Sequence, residues 1–281
     1  MKTNESGFNL SLFYNILMPD YKEGVASNDI SQSSAPFQQL SATLCHRYEG
    51  VMADGSLKIS IIVPTFNEER CLGDTLAQIQ QLSPHEVIVS DGGSDDKTLE
   101  IATKFTQKRV TGPAGRALQM NAGARIATGD IFLFLHADSR IDPESYKKIS
   151  VSMNNSQEIG GAFFLCIDSD KWSLRLITWL ANLRSKYLGM AYGDQAFFVR
   201  NPVFQKMNGF SEFPICEDID FFKRLRKLGP VILLDEKVFT SPRRWNKEGI
   251  WFTTFRNILI AILFELRFPP RILTKWYQII R

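Results

Sequence analysis

The 281-residue chain has only four cysteines, Cys45, Cys71, Cys166 and Cys216. They are far apart, with no CxxC pair and no histidine at zinc-ligand spacing. A disulfide framework and a structural zinc site are therefore both excluded as organising principles, and free or buried thiols in a reducing compartment are expected. Charge of one sign is also scarce. A net charge of +3 is too weak to argue for nucleic acid as a partner. The N-terminus has no positively charged start followed by a clean apolar core, so no secretory signal is read there. Neither a GxGxxG after the first apolar strand nor a P-loop is present, which argues against an ordinary dinucleotide fold and against nucleotide hydrolysis. Internal repeats and low-complexity tracts are missing as well. No run of about 20 apolar residues is free of charge; the nearest, GIWFTTFRNILIAILFELRF, is interrupted by Arg256, Asn257, Glu265 and Arg267.

Residues 1–56 are rich in Ser, Asn and Gln and have no sustained period, as in SNDISQSSAPFQQLSA. They read as a poorly ordered extension. Met52 lies just before the first good strand and is expected to be the physiological start; intact mass from the native host tests this.

From Lys58 the pattern changes. KISIIVPTFNE is a short β-branched run ended by Pro64, as in a buried parallel strand. ERCLGDTLAQIQQL places Leu72, Leu76 and Ile79 at helical spacing. HEVIVSDGGSDDKT is a second strand and turn, and DDKTLEIATKF a helix with Ser94 or Asp95 as its cap. GRALQMNAGARIA is a third helix and DIFLFLH a third buried strand. Such alternation predicts a mostly parallel sheet with helices on both faces, and a ligand outside the carboxyl ends of the strands. The second half is mixed: GGAFFLCI and QAFFVR read as strands, WSLRLITWLANLRSKYL and EDIDFFKRLRKLG as helices, and PVILLDEKVFTSPRRW as one or two short strands.

Three strand ends then line one rim. They deliver Pro64, Asn67 and Glu68; Asp91, Gly92 and Gly93; and His136 and Asp138. Carboxylates there can accept hydrogen bonds from a base or from ribose hydroxyls, and glycines allow close approach of a ligand. Capping and turn formation are the alternative use of the same residues. In TGPAGRALQ, Arg116 opens a helix, a setting suited to a phosphate or pyrophosphate.

These stretches, ISIIVPTFNEE, VIVSDGGSDDKT, NAGARIATGDIFLFLHAD, the NGF at 208–210 and EDIDFFKRLRKLG, resemble a family-two glycosyltransferase with the α/β GT-A fold. The resemblance covers residues 58 to 245 or so, within a domain drawn at 57–245 and followed by a basic, aromatic-rich helical segment, 246–281. HADS, YGDQAFFVR, the ED pair and SPRRW further resemble a short bacterial subgroup sometimes assigned to arsenosugar biosynthesis. The resemblance implies a sugar transferred from a nucleotide-diphosphate donor, a UDP-sugar by default, to a hydroxyl of a small-molecule, glycan or lipid-linked acceptor. It implies inversion, with Asp218 as general base and Glu217 beside it. It gives the donor site to Pro64, Asn67, Glu68, Asp91, Gly92, Arg116, Asp138, Asp194, Gln195, Arg243, Arg244 and Trp245, with Trp245 suited to stacking on an acceptor. The family's metal-binding Asp-x-Asp reads His136-Ala137-Asp138 here. Mn²⁺ or Mg²⁺ is expected on Asp138, with His136 as second ligand or as a hydrogen-bond partner of the donor. Two competing readings are a nucleotidyltransferase, which would need a Gly-rich loop with a basic residue after the first strand, and a non-catalytic GT-A scaffold. The expected location is cytoplasmic, including the inner face of the plasma membrane if the C-terminal helix lies in the interface.

Overall fold

The ISIIVPT segment forms β1 (Ile59–Thr65), buried except at Pro64. β-Branched residues suit a strand covered on both faces. The computed structural model describes residues 57–277 except 155; the expected extension, 1–56, and the Met52 start lie outside the described residues. β1 runs parallel to β2 (Glu86–Asp91) and β4 (Ile131–Phe134), and β2 runs parallel to β3 (Arg109–Thr111). The three-residue β3 is an element the sequence pattern did not reveal, because it is too short to show a period.

Helices α1 (Leu72–Gln81), α2 (Thr98–Thr103) and α3 (Arg116–Ile126) make the crossovers. Leu72, Leu76 and Ile79 of α1 join Ile59, Ile61 and Val63 in one core layer. Ala117, Met120 and Ala124 of α3 pack with Ile62, Ile88 and Phe132 in a second layer, on the opposite face of the sheet. At Gly123 an added Cβ would stand 2.6 Å from Cγ2 of Ile62, so only glycine lets α3 lie this close. The acceptor at the start of α2 is Asp96, which takes the Thr98 N–H at 2.9 Å, rather than Ser94 or Asp95.

The second half comprises β5 (Ser139–Ile141), α4 (Pro143–Asn154), β6 (Gly160–Ile167), α5 (Trp172–Leu188), a 3₁₀ turn (Gly193–Gln195), β7 (Phe198–Arg200), α6 (Asn201–Lys206) and α7 (Glu217–Leu228). β8 (Val231–Thr240), α8 (Arg243–Glu248), α9 (Ile250–Glu265) and α10 (Pro270–Leu273) follow. The strand order is β3-β2-β1-β4-β7-β6-β8-β5. β7 is antiparallel to β4 and β6, and β5 is antiparallel to β8, so the sheet is parallel in its first half and mixed in its second. PVILLDEKVFT forms one strand, irregular opposite Phe163 and Phe164, and the SPRRW that follows begins α8. Stacked rings anchor α7: Phe210 and Phe221 lie 4.0 Å apart, and Phe197 stacks on Phe222 at 5.2 Å. That packing fixes where the first residues of α7 emerge.

Candidate functional site

The loops after β1 and β2 are fastened to each other. Asp91 is fully buried, and its two oxygens accept from Thr65 Oγ1 at 3.1 Å, Ser94 Oγ at 2.5 Å and the N–H groups of Gly93 at 2.9 Å and Ser94 at 2.8 Å. Asn67, with φ of 55°, donates its N–H to Ser94 Oγ and accepts from the Asp95 N–H. Gly92 is tightly packed: an added Cβ would sit 3.0 Å from Nε2 of Gln119 and 3.1 Å from Cα of Ala114, so these neighbours would have to shift. Pro64, half-buried, is in register with Ser90. Asp91, Asn67 and Gly92 are thus built into the rim, and a nucleotide there would meet a preformed loop rather than a free Asp91 carboxylate.

Glu68, Asp138 and Arg243 converge beside this rim. Arg243, at the first turn of α8, donates to Glu68 Oε1 at 2.7 Å and lies 3.2 Å from Asp138 Oδ2. Burial raises the pKa of Asp138 above the usual carboxylate range, and Arg243 opposes that shift. His136 is held well below the usual imidazole range, first by burial and then by the positive charges of Arg116, Arg244 and Arg243. At neutral pH it is an uncharged ring with a free lone pair. Arg244 lies over the ring of Tyr277 at 4.6 Å, and burial with Arg116 nearby lowers its pKa to about 10.

The start of α7 supplies the acids. Cys216 takes a left-handed conformation (φ 63°) that turns the chain into the helix. Asp218 Oδ2 accepts the Gly193 N–H at 2.8 Å, and Oδ1 accepts the Ile219 N–H at 2.8 Å. Glu217 is buried, and its pKa is pushed up to about 7 by burial and by Asp218, with Arg116 3.7 Å away opposing the shift. Asp194 is pushed up to about 6 by burial, and its Oδ1 is buried without a hydrogen-bond partner. Gly193 is the meeting point. A Cβ there would stand 3.2 Å from Asp218 Oδ2 and 3.5 Å from His136 Nε2, which brings the end of β4 and the start of α7 together.

Two expected site residues point elsewhere. Gln195 is fully buried and bonded on all sides. Its Oε1 accepts from Arg184 at 3.0 Å, Ser185 at 3.0 Å and the Tyr192 N–H at 3.1 Å, and its Nε2 donates to the Phe163 carbonyl at 2.9 Å. Its carbonyl oxygen is fully engaged and the side chain is fully buried, so it is not open to a sugar hydroxyl. Trp245, half-buried, packs against Leu165, Ile167 and Leu174 and donates to Thr254 Oγ1 at 3.3 Å, so part of its ring is used in bracing α8. Sequence reasoning missed the Gly193 N–H, which only the fold brings to Asp218. It also missed Arg184, whose guanidinium covers the Tyr192 ring at 3.5 Å.

A parallel half-sheet joined to a mixed half, with acids and arginines at the carboxyl ends of its strands, defines the GT-A class of nucleotide-sugar enzymes. The sequence model of Glycosyl transferase family 2 matches residues 60–210, and the chain belongs to that family. Among curated relatives, a dolichol-phosphate mannosyltransferase of Pyrococcus furiosus is 30% identical over 112 residues, 37% of this chain and 32% of the relative. Another is the dolichyl N-acetyl-alpha-D-glucosaminyl phosphate 3-beta-D-2,3-diacetamido-2,3-dideoxy-beta-D-glucuronosyltransferase of Methanococcus voltae. It is 28% identical over 237 residues, 72% of this chain and 74% of the relative. The matched part thus spans about a third of the first relative's length. The mannosyltransferase PcManGT of Pyrobaculum calidifontis, solved with GDP-Man and Mn²⁺, superposes with a TM-score of 0.56 at 18% identity, over 87% of this chain and 78% of that one. S. aureus TarS 1-349 with UDP-GlcNAc gives 0.56 at 19% identity, over 66% of this chain and 58% of that one. At these identities the two structures show a shared fold.

Proposed function

We propose that the protein transfers a sugar from a nucleoside-diphosphate donor, a UDP-sugar by default, to an acceptor hydroxyl with inversion. The observation that carries this reading is Asp218, fixed by the Gly193 N–H next to His136, with its neighbour Glu217 paired to Arg116. In the transfer, the acceptor oxygen attacks the anomeric carbon while Asp218 takes the hydroxyl proton. The bond from that carbon to the diphosphate oxygen breaks, and the diphosphate leaves with the electron pair. Arg116, Arg243 and Arg244 suit the diphosphate electrostatically, since guanidinium groups recognise phosphate oxygens in pairs. Burial and the neighbouring Asp218 push the Glu217 pKa up to about 7, so near neutrality it carries less negative charge than an ordinary carboxylate. It therefore repels the developing charge less than an ionised acid would.

Among the described residues no group of three or more His, Cys, Asp or Glu is placed to hold a metal. The chemistry of these residues nevertheless suits Mn²⁺ or Mg²⁺ bound together with the donor: the Asp138 carboxylate and the uncharged His136 ring would hold it, with diphosphate oxygens and water as further ligands. Such an ion would offset charge on the leaving diphosphate. The acceptor is a hydroxyl of a small-molecule, glycan or lipid-linked compound, and the C-terminal segment provides peripheral membrane contact.

Calorimetric titration with UDP and GDP, each with and without Mn²⁺, repeated on Asp138→Ala, tests the donor site. Metal-dependent binding of one nucleotide, lost in the variant, is expected. Absence of binding by either nucleotide, together with no release of nucleoside diphosphate from sugar donors, would favour the non-catalytic scaffold.

A further inference from the structure

α9 is amphipathic the wrong way round for a surface helix. Its inward side carries Thr253 and Arg256, the latter held by Glu248 at 2.6 and 2.7 Å, beside Ile260 and Ala261. Its outward side carries Trp251, Phe252, Phe255, Ile258, Leu259 and Ile262, each at least 36% exposed and none charged. The neighbouring α5 does the same: Trp172, Trp179, Leu180 and Tyr187 are 50–70% exposed. The two helices touch, and the rings of Trp172 and Trp251 lie 6.2 Å apart, so the two apolar faces are continuous. Ten side chains showing roughly 100 Å² each make an apolar surface of about 1,000 Å², well beyond the few hundred Å² usual for a soluble monomer.

Charge selects what covers this surface. The segment after α9 alternates exposed apolar and basic residues: Leu266, Arg267, Phe268, Arg271, Ile272, Lys275 and Trp276. It has no acidic residue, and Arg267, Arg271 and Lys275 have no ion-pair partner among the described residues. Paired with a second copy of itself, this rim would gather like charges; against anionic headgroups each cation gains. α9 has 16 residues, about 24 Å of helix, short of the roughly 30 Å of a bilayer core. No helix among the described residues is long and apolar enough to cross a membrane. A helix with this pattern lies in the plane of the interface.

We propose that the outward faces of α5 and α9, with the basic segment that follows α9, form one docking surface for an anionic lipid bilayer. The surface stands next to the chemistry. The inward side of α9 and Leu273 pack on Ile215, Cys216 and Ile219, the residues around the start of α7 that carry Glu217 and Asp218. The base is thus separated from the lipid by about one helix diameter, roughly 10 Å. Resting on the glycosyl-transfer reading, this selects among acceptors: the hydroxyl belongs to a polar head anchored in the bilayer by a lipid chain.

The test is flotation of the full-length chain with vesicles of phosphatidylcholine alone and of equal parts phosphatidylcholine and phosphatidylglycerol. Binding to the anionic vesicles is expected, weaker at high salt. Phe255→Glu and Trp179→Glu, both on outward faces, abolish it with unchanged circular dichroism. The triple variant Arg267→Ala, Arg271→Ala, Lys275→Ala weakens it by about fivefold per cation removed. Light scattering without lipid is run alongside. Absence of flotation overturns the proposal, as does a dimer that Phe255→Glu converts to monomer. Flotation needs no donor and no turnover, so it stands or falls separately from the transferase reading.

Discussion

Arg243 stands between two carboxylates, donating to Glu68 at 2.7 Å and lying 3.2 Å from Asp138. The guanidinium thus supplies the positive charge that both carboxylates face, and a metal on Asp138 would share that carboxylate with it. Arg243→Ala leaves two partly buried acids facing each other without a counter-charge. A loss of about 2 kcal/mol in folding stability is expected, less than for a fully buried pair because Arg243 is one-third exposed. Mn²⁺ should raise the melting temperature of this variant more than that of the parent, because the ion takes the place of the lost charge. Thermal melts with and without Mn²⁺ measure this, and an equal response of both proteins would argue against Asp138 as a ligand.

Asp218→Asn keeps the shape of the side chain and can still accept the Gly193 N–H, but it cannot take a proton. Turnover should fall by about a thousandfold or more, with nucleotide affinity within a factor of about two. Steady-state kinetics paired with calorimetry separates the two effects. Retained turnover would remove Asp218 from the role of base.

Gln195→Leu tests the reassignment of that residue. It strips a partner from Arg184, Ser185, the Tyr192 N–H and the Phe163 carbonyl. The expected cost is about 3 kcal/mol or more, read by urea denaturation. A residue that served the donor sugar would instead raise KM and leave stability alone.

Stability should depend on pH through Glu217 and Asp194. Their pKa values in the folded protein, about 7 and about 6, lie above the ordinary 4.5 and 3.8. The native state therefore holds these protons more tightly than the unfolded chain does. Their contribution is full below the ordinary values and is lost as pH rises through 6 to 7. The melting temperature should fall as pH is raised across that window, and Glu217→Gln should flatten the fall. A Glu217→Gln profile parallel to the parent's would mean that Glu217 is ionised throughout.

Much of the first half is legible in the sequence because its signals are local. The β-branched run of β1, the 3–4 spacing of Leu72, Leu76 and Ile79, and the apolar FLFL of β4 each report burial within a few residues. The family motifs sit at strand ends and need no knowledge of the partner strand. In the second half the strands GGAFFLCI and QAFFVR and the helices at 172–188 and 217–228 are legible too, but not how the strands pair. β7 joins the sheet through only three residues, antiparallel to strands distant in sequence, and its direction is set by long-range pairing.

The sequence by itself determined the α/β class, the family and the residue types at the rim, since these depend on periodicity and on motifs a few residues long. Only the tertiary structure decided what each polar group is for. Asp91 looks available in sequence and proves saturated by internal hydrogen bonds, Gln195 proves fully buried, and Asp194 keeps a buried oxygen unpartnered. A hydrogen bond has a direction and a reach of about 3 Å, and partners such as Gly193 and Asp218, 25 positions apart, are brought within that reach by packing alone. For the same reason the outward turn of the apolar side of α9 is invisible in its composition: which side of a helix faces inward is chosen by Arg256 and Glu248 and by the layer beneath.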